Sequence, residues 1–187
     1  MTTSTDTPVG LPALQARLAF GLEALQLPAA RWTPMLERDG QAVADVAIVG
    51  AGIAGLALAA ALRFKGLDAR LYDEAPAGWE GPWATTARME TLRSPKQLAG
   101  PALGIPSLTF RAWFEAQWGR AAWDTLDKIP RLQWMDYLRW YRQVLGIEVH
   151  NGHRVTDVQP QADGLVALQI EAAGRALTAH ARRLVLA

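Results

Sequence analysis

One motif in the chain has residue types and spacing suited to phosphate binding: Gly50-Ala51-Gly52-Ile53-Ala54-Gly55. In this spacing Gly50 permits a tight turn, Gly52 lets a pyrophosphate approach the backbone, and Gly55 lets a helix pack closely on a strand. The N–H groups of the first helical turn would face the phosphates, with the positive end of the helix dipole behind them. The motif predicts a dinucleotide-binding site. The alternative is a Gly-rich turn that only packs a strand against a helix.

An acidic residue follows at the distance that a ribose requires. Glu74 comes nineteen residues after Gly55, at the end of the next predicted strand, where a carboxylate can accept hydrogen bonds from both ribose hydroxyls. Asp73 could compete for this role. We prefer Glu74 because its spacing fits and because Asp73 is expected to be the last residue of the strand.

The segments around the motif predict the elements that position it. Residues 46–49 form a buried apolar strand, residues 53–65 form a helix rich in Ala and Leu that ends at Gly66, and residues 67–73 form a second strand. Such a unit predicts two parallel strands joined by a right-handed crossover.

The remainder alternates between loop, helix and strand. Residues 76–107 are predicted to be mostly loop because they are rich in Pro and Gly. Two helices follow, the first capped by Thr109 and the second opened after Pro130, at residues 110–118 and 131–145. The predicted strands are 147–150, a separate antiparallel meander of 153–159, 164–171 and 175–181, and a further apolar strand at 183–187. The predicted fold class is α/β: a parallel, Rossmann-like dinucleotide-binding sheet with flanking helices and an antiparallel β-meander.

Residues 1–43 are predicted to form a helical extension in front of a domain at 44–187. Leucines recur there at steps of three and four positions: Leu11, Leu14, Leu18, Leu22 and Leu25. This spacing gives one apolar stripe on a helix, which we interpret as docked on the body of the protein.

Composition excludes several classes of function. The chain has 187 residues with 19 basic and 18 acidic side chains, so it lacks the basic field that nucleic-acid binding needs. It has no cysteines, which excludes disulfides, thiolate metal sites and cysteine-pair redox chemistry in this chain. Its three histidines are too scattered for a metal cluster, and no metal site is predicted: His150, His153 and His180.

Neither a leader nor a membrane span is expected. Residues 1–8 contain no Lys or Arg, as a secretory leader would. Residues 46–62 are uncharged, but they contain three glycines and fall short of the roughly 20 apolar residues of a membrane span. We expect a soluble, cytoplasmic protein that acts on a small molecule; its oligomeric state is left open.

The second long helix carries both aromatic and basic side chains. Trp134, Tyr137 and Tyr141 share one face at helical spacing, which is more typical of a packed core than of a cofactor site. We interpret the arginines of this helix as its solvated face: Arg131, Arg139 and Arg142.

The order of segments resembles the FAD domain of flavoproteins with two dinucleotide domains, such as glutathione reductase and the flavin-containing monooxygenases. A long loop, helices and a β-meander stand where a simple NAD domain would repeat its strand–helix–strand unit. The resemblance implies FAD as the cofactor. It also implies that Val155, which opens the meander after Gly152, meets the adenine through its backbone; an ordinary strand residue is the alternative.

The loop at 78–83 resembles the Gly-Gly-x-Trp segment of flavin-dependent monooxygenases. Gly81, Pro82 and Trp83 stand in its place, with Pro82 where the second Gly would be, which implies that Trp83 contacts the flavin. The segments from Met89-Glu90-Thr91 onward resemble the siderophore-type ornithine and lysine N-hydroxylases. There a Met-Gln pair near the flavin precedes a substrate lysine; here Glu90 replaces the Gln and Lys96 follows.

Together these resemblances imply the FAD-binding N-terminal half of a class B-like flavin-dependent monooxygenase. NADPH is implied as the reductant of the parent enzyme, with its site outside this chain, and no catalytic residue is assigned. Because the strand at 183–187 stops without the turn that follows it in these flavoproteins, we expect an incomplete domain that binds FAD weakly and is inactive alone. The alternative is a non-catalytic nucleotide-binding module or a truncated remnant.

Overall fold

The helices and strands follow the order that the sequence predicts. The computed structural model describes residues 9–187, so residues 1–8 of the predicted extension lie outside the described residues. The α-helices are α1 (Gly10–Ala24), α2 (Ile53–Phe64), α3 (Phe110–Thr125) and α4 (Arg131–Val144). The strands are β1 (Glu37–Arg38), β2 (Gln41–Ala42), β3 (Ala44–Val49), β4 (Ala69–Asp73), β5 (Val149–Asn151), β6 (His153–Pro160), β7 (Val166–Ala172) and β8 (Arg175–Leu186). A 3-10 helix spans Pro106–Leu108.

A mixed sheet of six strands forms the centre of the fold, in the order β5-β4-β3-β8-β7-β6. Strands β5, β4, β3 and β8 are parallel, and Ile48 in β3 lies opposite both Leu71 in β4 and Val185 in β8. Strands β6 and β7 add the antiparallel part. The predicted α/β fold class, with its parallel sheet, flanking helices and antiparallel meander, is confirmed.

Strand β8 corrects one detail of that prediction. The runs 175–181 and 183–187 are one continuous strand, so the meander is not separate from the parallel sheet. Ala181 marks the change of partner, because it lies opposite Val166 of β7 and Ala44 of β3. A strand has hydrogen-bonding groups along both edges, so one strand can pair with a hairpin neighbour and with a parallel neighbour. The side-chain pattern alone does not reveal this continuity.

Helix α3 extends past its predicted end. Thr109 caps it as expected, since its hydroxyl accepts a hydrogen bond from the Ala112 N–H at 3.1 Å. Gly119 interrupts the helix with φ of 81°, a left-handed conformation that favours glycine. The chain then returns to helical geometry as far as Thr125, so Gly119 kinks the element instead of ending it. Helix α4 lies within one residue of its predicted bounds.

The core joins α1 to the body of the protein. Leu14 and Leu18 on α1 are buried, and α1 contacts α3. The aromatic face of α4 lies in the same core, where Trp134, Tyr137 and Tyr141 are fully buried, as predicted. Burial raises the pKa of both tyrosines. No helix within residues 9–187 has the length and apolar character needed to cross a membrane.

A buried carboxylate anchors the start of β3. Asp45 is 4% exposed and accepts hydrogen bonds from the Thr33 hydroxyl at 2.7 Å and the Asp68 N–H at 2.9 Å. The guanidinium groups of Arg31 and Arg182 each lie 3.2 Å from its oxygens. Burial raises the pKa of Asp45, but these hydrogen bonds and positive charges outweigh burial and hold the pKa below its usual value of 3.8. Asp45 therefore stabilises the fold as an anion.

We expect Asp45→Asn to lower the free energy of unfolding by about 2 kcal/mol at pH 7, because the arginines lose their buried partner. A carboxyl whose pKa is depressed by folding stabilises the protein above its unfolded pKa and loses that contribution as the pH falls through the folded pKa. The difference between the variant and the wild type should therefore shrink below about pH 4. Urea denaturation between pH 2.5 and 7 measures it, with exposed Asp127→Asn as the control. A difference that is the same at every pH would contradict this assignment.

Candidate functional site

A large cavity lies at the carboxyl ends of β3, β4 and β8. Its volume is about 960 Å³, and its walls come from the segments 49–54, 72–75, 79–85, 153–155 and 186–187. Ligands of open α/β sheets bind at this edge, outside the carboxyl ends of the strands. The cavity is therefore the candidate site.

The glycine motif forms one wall of this cavity. Gly50 has φ of 100°, and a Cβ there would lie 2.5 Å from the Ala187 carbonyl oxygen. A Cβ on Gly55 would lie 1.9 Å from the Gly50 carbonyl oxygen, so only glycine lets α2 approach the turn this closely. A Cβ on Gly52 would meet nothing nearer than the Gly81 Cα at 3.6 Å. The backbone at Gly52 therefore borders open space in the cavity.

Helix α2 directs its N-terminus at the same space. It begins at Ile53 with Gly52 as the N-cap, and no side chain among residues 9–187 caps it. Ile53 and Ala54 line the cavity. The first N–H groups of a helix have no partner within the helix, so this end can receive an anionic ligand.

Two neighbouring carboxylates at the end of β4 have different environments. Asp73 accepts hydrogen bonds from the Ala51 N–H at 2.7 Å and the Ala75 N–H at 2.8 Å, so it ties the glycine turn to the end of β4. The side chain of Glu74 is 73% exposed, and its carboxylate lies 3.6 Å from the Arg154 guanidinium. Both residues line the cavity. Asp73 is already engaged with the backbone, whereas Glu74 stands at the mouth.

The other two predicted site residues lie in different surroundings. Val155 lines the cavity on the β6 side. Trp83 is part of the core instead, where its ring packs edge-on against Trp134 with the centroids 6.5 Å apart. Its indole N–H is buried and has no hydrogen-bond partner within residues 9–187. The structure thus brings the glycine motif, Glu74 and Val155 together, whereas the Trp83 side chain packs against the core.

Several residues of the cavity wall were not predicted from the sequence: Tyr72, Trp79, His153 and Arg154. Trp79 is 50% exposed and borders the cavity. Its position in the Gly-rich loop and the adjacency of His153 and Arg154 to Val155 were signals that could have identified them. Across residues 9–187, no cluster of His, Asp and Glu side chains is arranged to hold a metal ion.

The arginines of α4 do more than form the predicted solvated face, because all three bind the loop at 78–83: Arg131, Arg139 and Arg142. Arg139 is exposed as predicted, whereas Arg131 and Arg142 are half-buried. Arg139 donates to the Gly78 carbonyl oxygen from Nε at 2.9 Å and from Nη2 at 2.6 Å. Arg131 donates to the Trp83 carbonyl oxygen, and Arg142 forms an ion pair with Glu80. Helical periodicity identifies a polar face but not the loop that covers it.

Lys96, which resembles a substrate lysine in its sequence context, caps a helix. Its ammonium donates to the carbonyl oxygens of Trp123 at 2.7 Å and Leu126 at 2.6 Å, and it lies 5.2 Å from the centroid of the Trp123 ring. A cation at a helix C-terminus binds its unpaired carbonyl groups and interacts favourably with the helix dipole. In this structure Lys96 stabilises the end of α3, away from the cavity.

Two solved structures share this fold at low sequence identity. The ornithine hydroxylase of Pseudomonas aeruginosa is 22% identical with a TM-score of 0.65, and the match covers 77% of this chain and 38% of that chain. The L-lysine 6-monooxygenase of Pseudomonas syringae is 21% identical with a TM-score of 0.58, covering 77% and 37%. At these identities the likeness shows the fold alone.

Sequence comparison gives the family. The FAD-dependent urate hydroxylase of Xanthomonas campestris pv. campestris is 47% identical to this chain over 155 residues. That alignment covers 82% of the chain and 33% of the hydroxylase, so the chain spans about a third of this curated relative's length. A model of the FAD-NAD(P)-binding family matches residues 47–187, which is more than half of the chain. The chain therefore belongs to the FAD-NAD(P)-binding family, with residues 47–187 as its FAD/NAD(P)-binding domain.

Proposed function

We propose that this chain is the FAD-binding part of an NADPH-dependent flavoprotein hydroxylase. The observation that carries the proposal is the cavity at the glycine turn, where an uncapped helix N-terminus meets the open backbone of Gly52. Urate is the first substrate to test, because the 47% identical relative is a urate hydroxylase. Since the chain spans about a third of that relative, the proposed activity belongs to the whole protein.

In this proposal the motif holds the pyrophosphate. The N–H groups of Gly52, Ile53 and Ala54 would donate to it, Gly50 and Gly55 would keep the turn and the helix close together, and Ala51 would hold the turn through its hydrogen bond to Asp73. These groups need no rearrangement, because the turn is fixed by hydrogen bonds from the Gly50 N–H to the Tyr72 carbonyl oxygen and from the Ala51 N–H to Asp73. Preorganisation of this kind lowers the cost of binding.

The remaining contacts are assigned to the two ends of the cofactor. Glu74 would accept hydrogen bonds from the ribose hydroxyls, and the backbone of Val155 would meet the adenine. Trp83 would support the flavin end through the loop that it anchors in the core. Bound FAD would supply the chemistry that no side chain can perform: it would take electrons from NADPH and react with oxygen. A cytoplasmic location belongs to the proposal.

Substitution of the two carboxylates tests where the ribose binds. We expect Glu74→Ala to weaken FAD binding by about 10- to 150-fold, equivalent to about 1.5–3 kcal/mol, through the loss of charge-assisted hydrogen bonds. Because Glu74 is exposed, the free energy of unfolding should stay unchanged. Titration of FAD followed by flavin fluorescence measures the effect, and exposed Glu148→Ala is the matched control.

Substitution of Asp73, the alternative carboxylate, should affect stability instead of FAD affinity. Asp73→Asn should lower the free energy of unfolding by about 1–2 kcal/mol, because the Ala51 and Ala75 N–H groups lose a charged acceptor. If Glu74→Ala binds FAD like the wild type, while Asp73→Asn loses binding with an intact fold, the ribose lies at Asp73 and our assignment of Glu74 is wrong.

A further inference from the structure

A buried polar cluster lies between the cavity and α4. Glu80 is 5% exposed, and its Oε1 accepts hydrogen bonds from Arg142 Nη1 at 2.5 Å and Asn151 Nδ2 at 2.7 Å. Arg142 Nη2 also donates to Asn151 Oδ1 at 3.0 Å, which closes a triangle of three side chains. We call Arg142, Glu80 and Asn151 the polar hub.

The polar hub connects three segments that are far apart in sequence and that each contribute to the cavity wall. Asn151 Nδ2 donates to the Ala75 carbonyl oxygen at 3.1 Å, and the Gly152 N–H donates to the same oxygen at 3.2 Å. Glu80 lies in the loop between Trp79 and Gly81, which both face the cavity. The hub therefore fixes the end of β4, the loop at 78–83 and the turn before β6 relative to one another.

Stability alone does not explain a charged pair at this position. An apolar pair of similar volume is often as stabilising as a buried ion pair, because removing two charges from water is costly. What the charged pair adds is direction: Glu80 Oε1 accepts from both Arg142 and Asn151, and Arg142 also donates to Asn151 Oδ1. No helix or strand lies between Glu74 and Glu90, so the shape of this loop depends on hydrogen bonds from neighbouring segments such as those of the polar hub.

We propose that Arg142 and Glu80 are positioning residues of the cofactor site, acting by holding the loop at 78–83 and the turn at 151–153 in their binding geometry before FAD arrives. This inference rests on the proposed function, in which FAD is the ligand of the site. Neither residue lines the cavity, so their effect on FAD is indirect: without the hub, FAD would have to order the loop when it binds, and the cost would appear as weaker affinity.

The test combines a charge-free hub with two measurements. Arg142→Met alone leaves the Glu80 carboxylate buried without its cation, so this variant should lose both stability and FAD affinity. The double variant Glu80→Leu/Arg142→Met removes both charges and should lose less stability than Arg142→Met, because only the hydrogen bonds to Asn151 and to the Ile147 carbonyl oxygen are left unreplaced. We nevertheless expect its dissociation constant for FAD to rise about tenfold or more. Arg120→Met, which breaks an exposed pair on α3, is the matched control.

Hydrogen exchange of the FAD-free protein provides the second, independent measurement. Amides of residues 76–83 and 151–155 should exchange faster in the double variant than in the wild type and in Arg120→Met. A double variant with wild-type exchange and wild-type FAD affinity would overturn the proposal, as would a loss of affinity that only follows a loss of unfolding free energy. If the wild type binds no FAD, the proposed function fails, and the exchange result alone decides whether the hub holds the loop.

Discussion

Gly55→Ala is expected to cause the largest combined loss of stability and FAD binding. The added Cβ would lie 1.9 Å from the Gly50 carbonyl oxygen and 3.0 Å from its carbon. Gly50 cannot simply move away, because its N–H donates to the Tyr72 carbonyl oxygen at 2.8 Å. Helix α2 must therefore shift outward from the sheet, at a cost of about 3 kcal/mol. The same shift would withdraw the helix N-terminus from the phosphate position.

Urea denaturation and FAD titration together measure this effect. Gly21→Ala is the matched control, because Gly21 lies in the last turn of α1 with nothing within 4 Å of an added Cβ. That control should be neutral or slightly stabilising, since Ala is favoured over Gly in a helix by up to about 1 kcal/mol. If Gly55→Ala kept wild-type stability, the close approach of α2 to the turn would not exist.

Gly52→Val is expected to abolish FAD binding while leaving the fold intact. Gly52 has φ of −66°, which other residues adopt freely, and the nearest atom to an added Cβ is 3.6 Å away. The valine methyl groups would instead fill the space that the pyrophosphate needs. We expect affinity to fall by at least about 100-fold, or about 2.7 kcal/mol.

The contrast between stability and affinity makes this variant informative. Thermal unfolding of FAD-free Gly52→Val should match that of the wild type to within a few degrees, while the FAD titration shows no saturation. Gly52→Ala, with a single added carbon, should give an intermediate affinity. Wild-type affinity in Gly52→Val would mean that the phosphates bind elsewhere.

The unit around the motif was predictable because its signals are local. The apolar run before Gly50, the Ala-rich helix ended by Gly66 and the second strand each follow from a few adjacent residues. Because a helical crossover joins the two strands, they run parallel, and such a crossover is nearly always right-handed. These elements alone bring the glycine motif and Glu74 to one cavity.

The rest of the site depends on contacts between distant parts of the chain. Arg142 and Glu80 are separated by 62 positions, and Arg139 and Gly78 by 61, so no spacing along α4 reveals these partners. An arginine that projects from a helix has the same sequence pattern whether it faces water or a loop. The continuity of β8 was hidden for a related reason, since a change of partner strand leaves no mark on side-chain alternation.

A resemblance can also assign a residue to chemistry when it has a structural role. Lys96 follows Met89 and Glu90 in an order similar to that of the N-hydroxylases, yet its ammonium binds the carbonyl groups at the end of α3. The neighbours of Lys96 along the chain follow from the sequence, whereas its role depends on neighbours in space.

The most direct test of the central claim is to map backbone amide shifts by nuclear magnetic resonance while FAD is added to the isotopically labelled chain. FAD bound at the glycine turn should shift the amides of residues 50–55, 72–75, 79–82 and 153–155. Amides at the opposite end of β3, around Asp45 and Arg182, should stay unchanged. Shifts confined to that opposite end, or no saturable shift in the glycine motif, would contradict the account.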